Sequence, residues 1–284
     1  MKILVLHCGG TISCESINGV LSPRANIEKY FDRAVNGACE LEHKKIEPFL
    51  SELLNGKRLW SILCPVRDAV NSGRYDGIIV THGSDTVAYT SAYLGYALGL
   101  CEAPVVTVSA DKPLSDPLSS GHAAISSAIS LILSKDARGV FSAWRDHVCR
   151  GTRILRHRTF ENELPTVSEI YGKCRSIAPE IGNFEKNELY REHPDELKPM
   201  PAELKGLSPV THLMMTPSAS LPSSLPEDCR AVLLHSYHSG TLDTKNPSLP
   251  TYSASVIWSD KYTHQSLNVS FIALNQSLIP ASPS

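Results

Sequence analysis

The sequence predicts an α/β fold: an N-terminal parallel-sheet domain with flanking helices, followed by a smaller, abbreviated C-terminal α/β domain. Three observations carry that expectation. Between residues 2 and 143, compact apolar runs alternate with segments of helical period, the pattern of parallel strands joined by crossover helices. Two of these runs end directly in loops rich in glycine and hydroxyl groups, Gly9-Gly10-Thr11-Ile12 and Thr81-His82-Gly83-Ser84-Asp85-Thr86. A charged, proline-bearing stretch then precedes further apolar runs. It divides the chain into a domain over 1–187, a linker over 188–208 and a second domain over 209–284.

Each element has its own warrant. Residues 2–6 are apolar but too few for the core of a signal peptide, and His7 and Cys8 follow, so they read as a first buried strand. Residues 26–34 suit a short helix. Trp60, Ile62, Leu63, Val66 and Val70 recur at near-helical spacing. Asp76 turns the chain into a buried strand over 77–80. Asp85 is placed to cap a helix whose apolar face holds Tyr89, Tyr93, Leu94, Ala97 and Leu98, and Gly99 ends it. A strand over 104–109, a helix over 121–133 and a strand over 139–143 complete the alternation. Residues 153–190 read as loop and short strands. Residues 185–207, with Pro194, Pro199 and Pro201, read as the connector. Strands over 210–214 and 231–234 open the second α/β unit, and in the tail only 269–274 is strand-like.

Composition narrows the function. With 284 residues, 42% hydrophobic and 20% charged, the chain can bury a substantial core as an ordinary soluble protein. A net charge of −2 gives no pull toward nucleic acid or an anionic membrane, and no stretch is long enough to span a bilayer. The eight cysteines form no C-x-x-C pair, which argues against a zinc or redox site and for reduced thiols in the cytoplasm. His235 and His238 lack companion ligand spacing, so no metal or other cofactor is expected.

The two loops carry the chemistry. Ligands of open parallel sheets bind at the carboxyl ends of strands, so both loops can face one pocket. Two glycines let the backbone turn sharply beside a ligand, and Thr11 then offers a hydroxyl with N–H groups near enough to hold an oxyanion. Ser84 adds a second hydroxyl and Asp85 a carboxylate that could hold a substrate ammonium. Plainer readings exist for both: a simple tight turn at Thr11, and helix capping by Ser84 and Asp85.

These loops resemble the T-G-G-T-I and H-G-T-D-T signatures of the bacterial-type L-asparaginase family. Ser51-Glu52 resembles the segment that grips the α-carboxylate and α-amino group of the substrate. Val108-Ser109-Ala110-Asp111-Lys112-Pro113 is similar to G-A-M-R-P, Arg150-Gly151-Thr152-Arg153 to R-G-x-R, and His235-Ser236-Tyr237-His238-Ser239-Gly240 to G-x-G-S-G. The order and spacing agree over about residues 1–240.

The resemblance implies an amidohydrolase acting on the side-chain amide of asparagine or glutamine through a threonine acyl-enzyme. Thr11 would be the nucleophile and Ser84 would stand for the second catalytic threonine. Asp85, with Gly83 and Ser84, would hold the substrate, and Ser51 and Glu52 would complete the clamp. The implied partner is a small amino-acid amide, and the implied assembly is a homo-oligomer, dimer or tetramer, if the C-terminal domain is intact.

Three departures stand against this pattern. Arg156 occupies the place of the catalytic lysine. An arginine can orient Asp85 or stabilise charge but does not give up a proton, and His157 beside it is the available titrating group. The flap segment 18–23 has no tyrosine, Val20 or Leu21 taking its place. Thr241 stands for an asparagine, and the tail after Gly240 is short. A non-catalytic or very slow amino-acid-binding relative is therefore the alternative. A third reading, a phosphate-binding loop at Gly9-Gly10-Thr11, lacks both the P-loop lysine and the G-x-G-x-x-G pattern. His82 reads as a loop hydrogen-bonding residue, Cys8 as a small buried side chain, and Lys112 as scaffold.

Overall fold

The computed structural model describes residues 1–17, 20–23, 26–154, 170–175, 182–190, 210–214, 231–235 and 269–273. Its chain divides into two compact units, Met1–Leu204 and Lys205–Ser284.

The first unit runs β1 (Lys2–Gly9), β2 (Glu15–Ile17), β3 (Val20–Ser22), α1 (Glu28–Val35), β4 (Glu40–Phe49), α2 (Gly56–Ser72), β5 (Gly77–Thr81), α3 (Val87–Leu98), β6 (Val105–Val108), α4 (Ser120–Ser134), β7 (Val140–Trp144), β8 (His147–Arg150), β9 (Gly172–Arg175) and β10 (Asn183–Lys186). Eight strands make one sheet in the order β10-β9-β8-β7-β6-β5-β1-β4. From β4 to β7 every pairing is parallel. From β7 to β10 every pairing is antiparallel.

The period-two geometry of a strand sorts its residues between two helical layers. Ile3 and Val5 of β1 join one core with Phe31 of α1 and Ile125 and Ile129 of α4. Leu4 and Leu6 join the other with Ile62 and Val66 of α2 and Leu94 of α3. All ten side chains are at most 2% exposed. That two-sided burial is why the parallel strands read as unbroken apolar runs.

Local signals set the helix ends. Asn55 caps α2, its side chain accepting from the Arg58 N–H at 3.1 Å, and Gly73 closes it in the left-handed region at φ +62°. Ser119 caps α4 and accepts from Gly121 N–H at 3.2 Å.

Helix α3 departs from expectation. Its N-cap is Thr86, with no side-chain capping bond, so Asp85 does not cap it. Tyr89 points outward at 64% exposure, and the buried positions include Val87, Ser91, Leu94, Gly95 and Leu98. The cause is close packing. A Cβ on Gly95 would sit 2.7 Å from Thr152 Cγ2, and a Cβ on Gly151 would sit 3.0 Å from the Ser91 carbonyl oxygen. An inner face that tight leaves no room for the Tyr89 ring, while Tyr93 packs partly buried against the same core.

Strand β4 and the β2–β3 hairpin were not expected from the sequence. In the second unit, β11 (Val210–Met214) pairs parallel with β12 (Ala231–His235), and β12 pairs antiparallel with β13 (Val269–Ala273). Arg156, His157, His238 and Thr241 lie outside the described residues, as does the expected linker beyond Tyr190.

Candidate active site

Strand β1 lies between β4 and β5, and all three are parallel. The chain passes from β1 to β4 on one side and returns to β5 on the other. This reversal is the topological switch point, where open α/β sheets take their ligands. The loops leaving the carboxyl ends of these strands carry Thr11, Ser51, and Gly83-Ser84-Asp85 respectively for β1, β4 and β5.

Glycine lets these loops press together. Gly10 has φ +78°, and a Cβ there would penetrate the backbone of Gly83. A Cβ on Gly83 would run into the Ser51 side chain and lie 3.3 Å from Gly10 Cα. Gly9, at φ +98°, would place a Cβ 2.6 Å from the Phe49 carbonyl oxygen, which instead accepts from Gly10 N–H at 3.0 Å. Three loops far apart in sequence therefore share one tight junction.

Polar bonds cross the same junction. Ser51 is buried, and its Oγ donates to Asp85 Oδ2 at 3.1 Å. Thr86 Oγ1 donates to the Ser51 carbonyl at 2.8 Å. Thr11 opens a tight turn closed by Ser13 N–H to Gly10 O at 2.9 Å and Cys14 N–H to Thr11 O at 3.0 Å. Ile12 anchors that turn at 0% exposure, while Thr11 and Ser84 stay half-buried, each keeping part of its surface toward solvent. Asp85 and Glu52 are exposed. Ser51, Gly83, Asp85 and the Gly10–Thr11 turn are thus gathered together; Glu52 makes no hydrogen bond to them among the described residues.

His82 does more than the sequence suggested. It is fully buried. Its Nδ1–H donates to the Gly83 carbonyl at 2.9 Å, and its Nε2 accepts from the Thr90 hydroxyl at 2.9 Å. Since a carbonyl only accepts, the neutral tautomer is fixed. Burial pushes the ring down to about 4, against the raising effect of the Gly83 carbonyl. His82 is therefore a neutral clasp that orients Gly83. Thr81 does similar work on the other loop, its Oγ1 accepting from Cys8 N–H at 3.0 Å. Cys8 itself is 1% exposed. Nothing in the spacing of Thr81, Thr86 and Thr90 signalled these pairings.

Two neighbouring segments complete the surroundings. After β6, Asp111 accepts from the Ser120 N–H at 2.9 Å and hydroxyl at 2.8 Å, and Lys112 pairs with Asp116 at 3.4 Å, so both serve the loop before α4. Burial alone would raise Asp111, but the Ser120 bonds hold it below the usual carboxylate range. Beyond Thr11, β2 and β3 form a hairpin with Ile17 opposite Val20, and Val20 is 68% exposed. Chemically, the junction offers a carboxylate held by a hydroxyl, with two further hydroxyls, Thr11 and Ser84, on the loops that meet there.

A family model described as "Asparaginase, N-terminal" matches residues 2–165. An L-asparaginase of Thermococcus kodakarensis is 28% identical over 263 residues, covering 88% of this chain and 75% of that one. A glutaminase-asparaginase of Pseudomonas fluorescens biotype A is 26% identical over 171 residues, covering 57% of this chain and 47% of its own. The solved structure of L-asparaginase I from Vibrio cholerae superposes with a TM-score of 0.63 at 20% identity, over 87% of this chain and 75% of that chain, a likeness of fold. The chain thus spans three quarters of the first relative and less than half of the second.

Proposed function

The chain belongs to the asparaginase family, and from that membership we propose that it hydrolyses the side-chain amide of asparagine, with glutamine as a second substrate, to the acid and ammonia. The observation that carries this reading is the three-loop junction: Gly10 against Gly83, with Ser51 Oγ bonded to Asp85 Oδ2 at 3.1 Å.

In the proposed reaction, Asp85 holds the substrate's α-ammonium, and Ser51 holds Asp85 in place. Glu52, Gly83 and Ser84 complete the clamp. Orienting the amide in this way removes much of the entropic cost of attack. The Thr11 oxygen then attacks the carboxamide carbon, forming a C–O bond. The oxyanion faces N–H groups of the turn. The C–N bond breaks, and the proton from the Thr11 hydroxyl leaves with the nitrogen as ammonia, relayed through the Ser84 hydroxyl. Water cleaves the Thr11 ester, releasing the acid and restoring the hydroxyl. Arg156 stabilises charge and takes no proton, because guanidinium does not deprotonate in proteins.

A second reading, a slow or non-catalytic amino-acid binder, draws support from the tyrosine-free β2–β3 hairpin and from Arg156. The same proposal keeps a catalytic domain over 1–187, a linker over 188–208 and a second domain over 209–284, with a homo-oligomer, dimer or tetramer, as the assembly if that second domain is intact. A cytoplasmic setting fits seven described cysteines that are all free.

A coupled ammonia assay with asparagine and glutamine tests the reading. Turnover should fall at least about 10³-fold in Thr11→Ala, with the thermal midpoint unchanged. Undiminished turnover in that variant would refute the nucleophile. Calorimetric aspartate binding without any ammonia release would establish the second reading instead.

A further inference from the structure

Away from the loops, a chain of titratable groups runs from the surface into the core. Asp32 of α1 is exposed, and its Oδ1 lies 3.3 Å from His43 Nε2. His43 Nδ1 lies 2.9 Å from His7 Nε2, and His7, near the end of β1, is 7% exposed. The two rings stack with centroids 5.1 Å apart, and Phe31 stands steeply against both.

Valence places the protons. A carboxylate only accepts, so His43 donates from Nε2. A neutral ring then accepts at Nδ1, so His7 donates from Nε2 and keeps a lone pair on Nδ1. That buried Nδ1 has no hydrogen-bond partner among the described residues. One added proton reverses the inner half. His43 then donates from both nitrogens, and His7 accepts at Nε2 and carries its own hydrogen on Nδ1. A second proton would set two N–H groups head to head across 2.9 Å.

We infer that Asp32, His43 and His7 form a one-proton relay that latches α1 to the strand leading into the Gly9-Gly10-Thr11 loop, and that charging it reverses the tautomer of His7. The other charges facing the pair are Glu28 of α1 and Lys45 of β4, themselves paired at 2.8 Å. Burial, and then the neighbouring His43, hold His7 down to about 4, which is consistent with a proton entering at the outer ring. Among the described residues no group of three His, Cys, Asp or Glu side chains is placed to hold a metal ion. His7 is the register partner of Thr81, and the next residue, Cys8, donates its N–H to Thr81 Oγ1. The relay therefore ends beneath both site loops.

Ring-nitrogen NMR of the full chain labelled with ¹⁵N-histidine, titrated from about pH 8 to about pH 5.5, tests the relay. At the upper end His7 Nδ1 should resonate as an acceptor nitrogen. Acidification should add one proton to the pair and move the His7 hydrogen to Nδ1. In Asp32→Asn, a change at an exposed position, the midpoint of that uptake should fall, because the carboxylate that accepts from His43 Nε2 is gone. Its loss of thermal midpoint against the native chain should be larger at about pH 5.5 than at about pH 8. A hydrogen on His7 Nδ1 at the upper pH, two rings titrating independently, or an unmoved midpoint in Asp32→Asn would each overturn the relay. So would a native spectrum altered by EDTA, which would put a metal ion between the facing nitrogens.

Discussion

In the parallel half of the sheet, β4, β1, β5 and β6 send their loops to one edge, whereas in the antiparallel half β7, β8, β9 and β10 turn back on one another. The first half holds its junction with glycine contacts and side-chain hydrogen bonds such as Ser51–Asp85. The second half packs a buried charged group, Arg150, against aromatic rings. The Arg150 guanidinium lies 4.3 Å from the Phe141 ring centroid and 5.2 Å from that of Tyr171, and it donates to the Arg138 carbonyl. Strand direction explains the division. Parallel neighbours all finish on the same side and can pool side chains there, while antiparallel neighbours alternate and cannot.

The largest expected effect separates the two halves by what they lose. Gly83→Ala drives a Cβ into Ser51 and should lower kcat/KM by about 10²-fold or more while the protein still folds. Arg150→Met should cost about 2–4 kcal/mol of stability and leave turnover per folded molecule near native. Paired urea titrations and ammonia assays check both. An inactive but stable Arg150→Met would break the comparison.

Next in size is the pH dependence of stability. His7 and His82 are both held near 4, below the ordinary 6.5. The unfolded chain therefore binds protons first as pH falls. Stability is full above about pH 6.5 and drains toward pH 4, by roughly 3 kcal/mol for a fully buried ring such as His82. Urea midpoints across that window should show the loss, and His82→Asn should flatten the curve. The smallest effect is that of Ser51→Ala. It frees Asp85 and should raise KM about tenfold with kcat nearly unchanged, which substrate-saturation curves will read.

How much was legible depends on what kind of physics each element obeys. Strands β1, β5, β6 and β7 are buried on both faces, so they announce themselves as apolar runs. Strand β4 does not. It is an edge strand, and its Glu40, Glu42, Lys44, Lys45 and Glu47 keep that edge charged, which protects it from pairing but hides it from a search for apolar runs. The β2–β3 hairpin has three-residue strands, too short to show a period. At the site, Gly10, Thr11, Gly83 and Asp85 were visible as loop residues. The resemblance placed Ser51 in the same clamp as Asp85, but their bond was not visible, because Ser51 lies in another loop and only the fold brings the two side chains together. The same holds for Thr90, whose hydroxyl reaches His82 Nε2 from the helix that follows.

One small side chain turns the strand pair beneath the junction into its own timepiece. The Cys8 thiol is sealed between β1 and its surroundings, and burial pushes it far above the range where thiolate forms. An alkylating reagent must wait until the strands part. Its rate of capture under native conditions, read on the Cys8 peptide apart from the more accessible Cys39, Cys64 and Cys101, thus reports those openings with no engineered label.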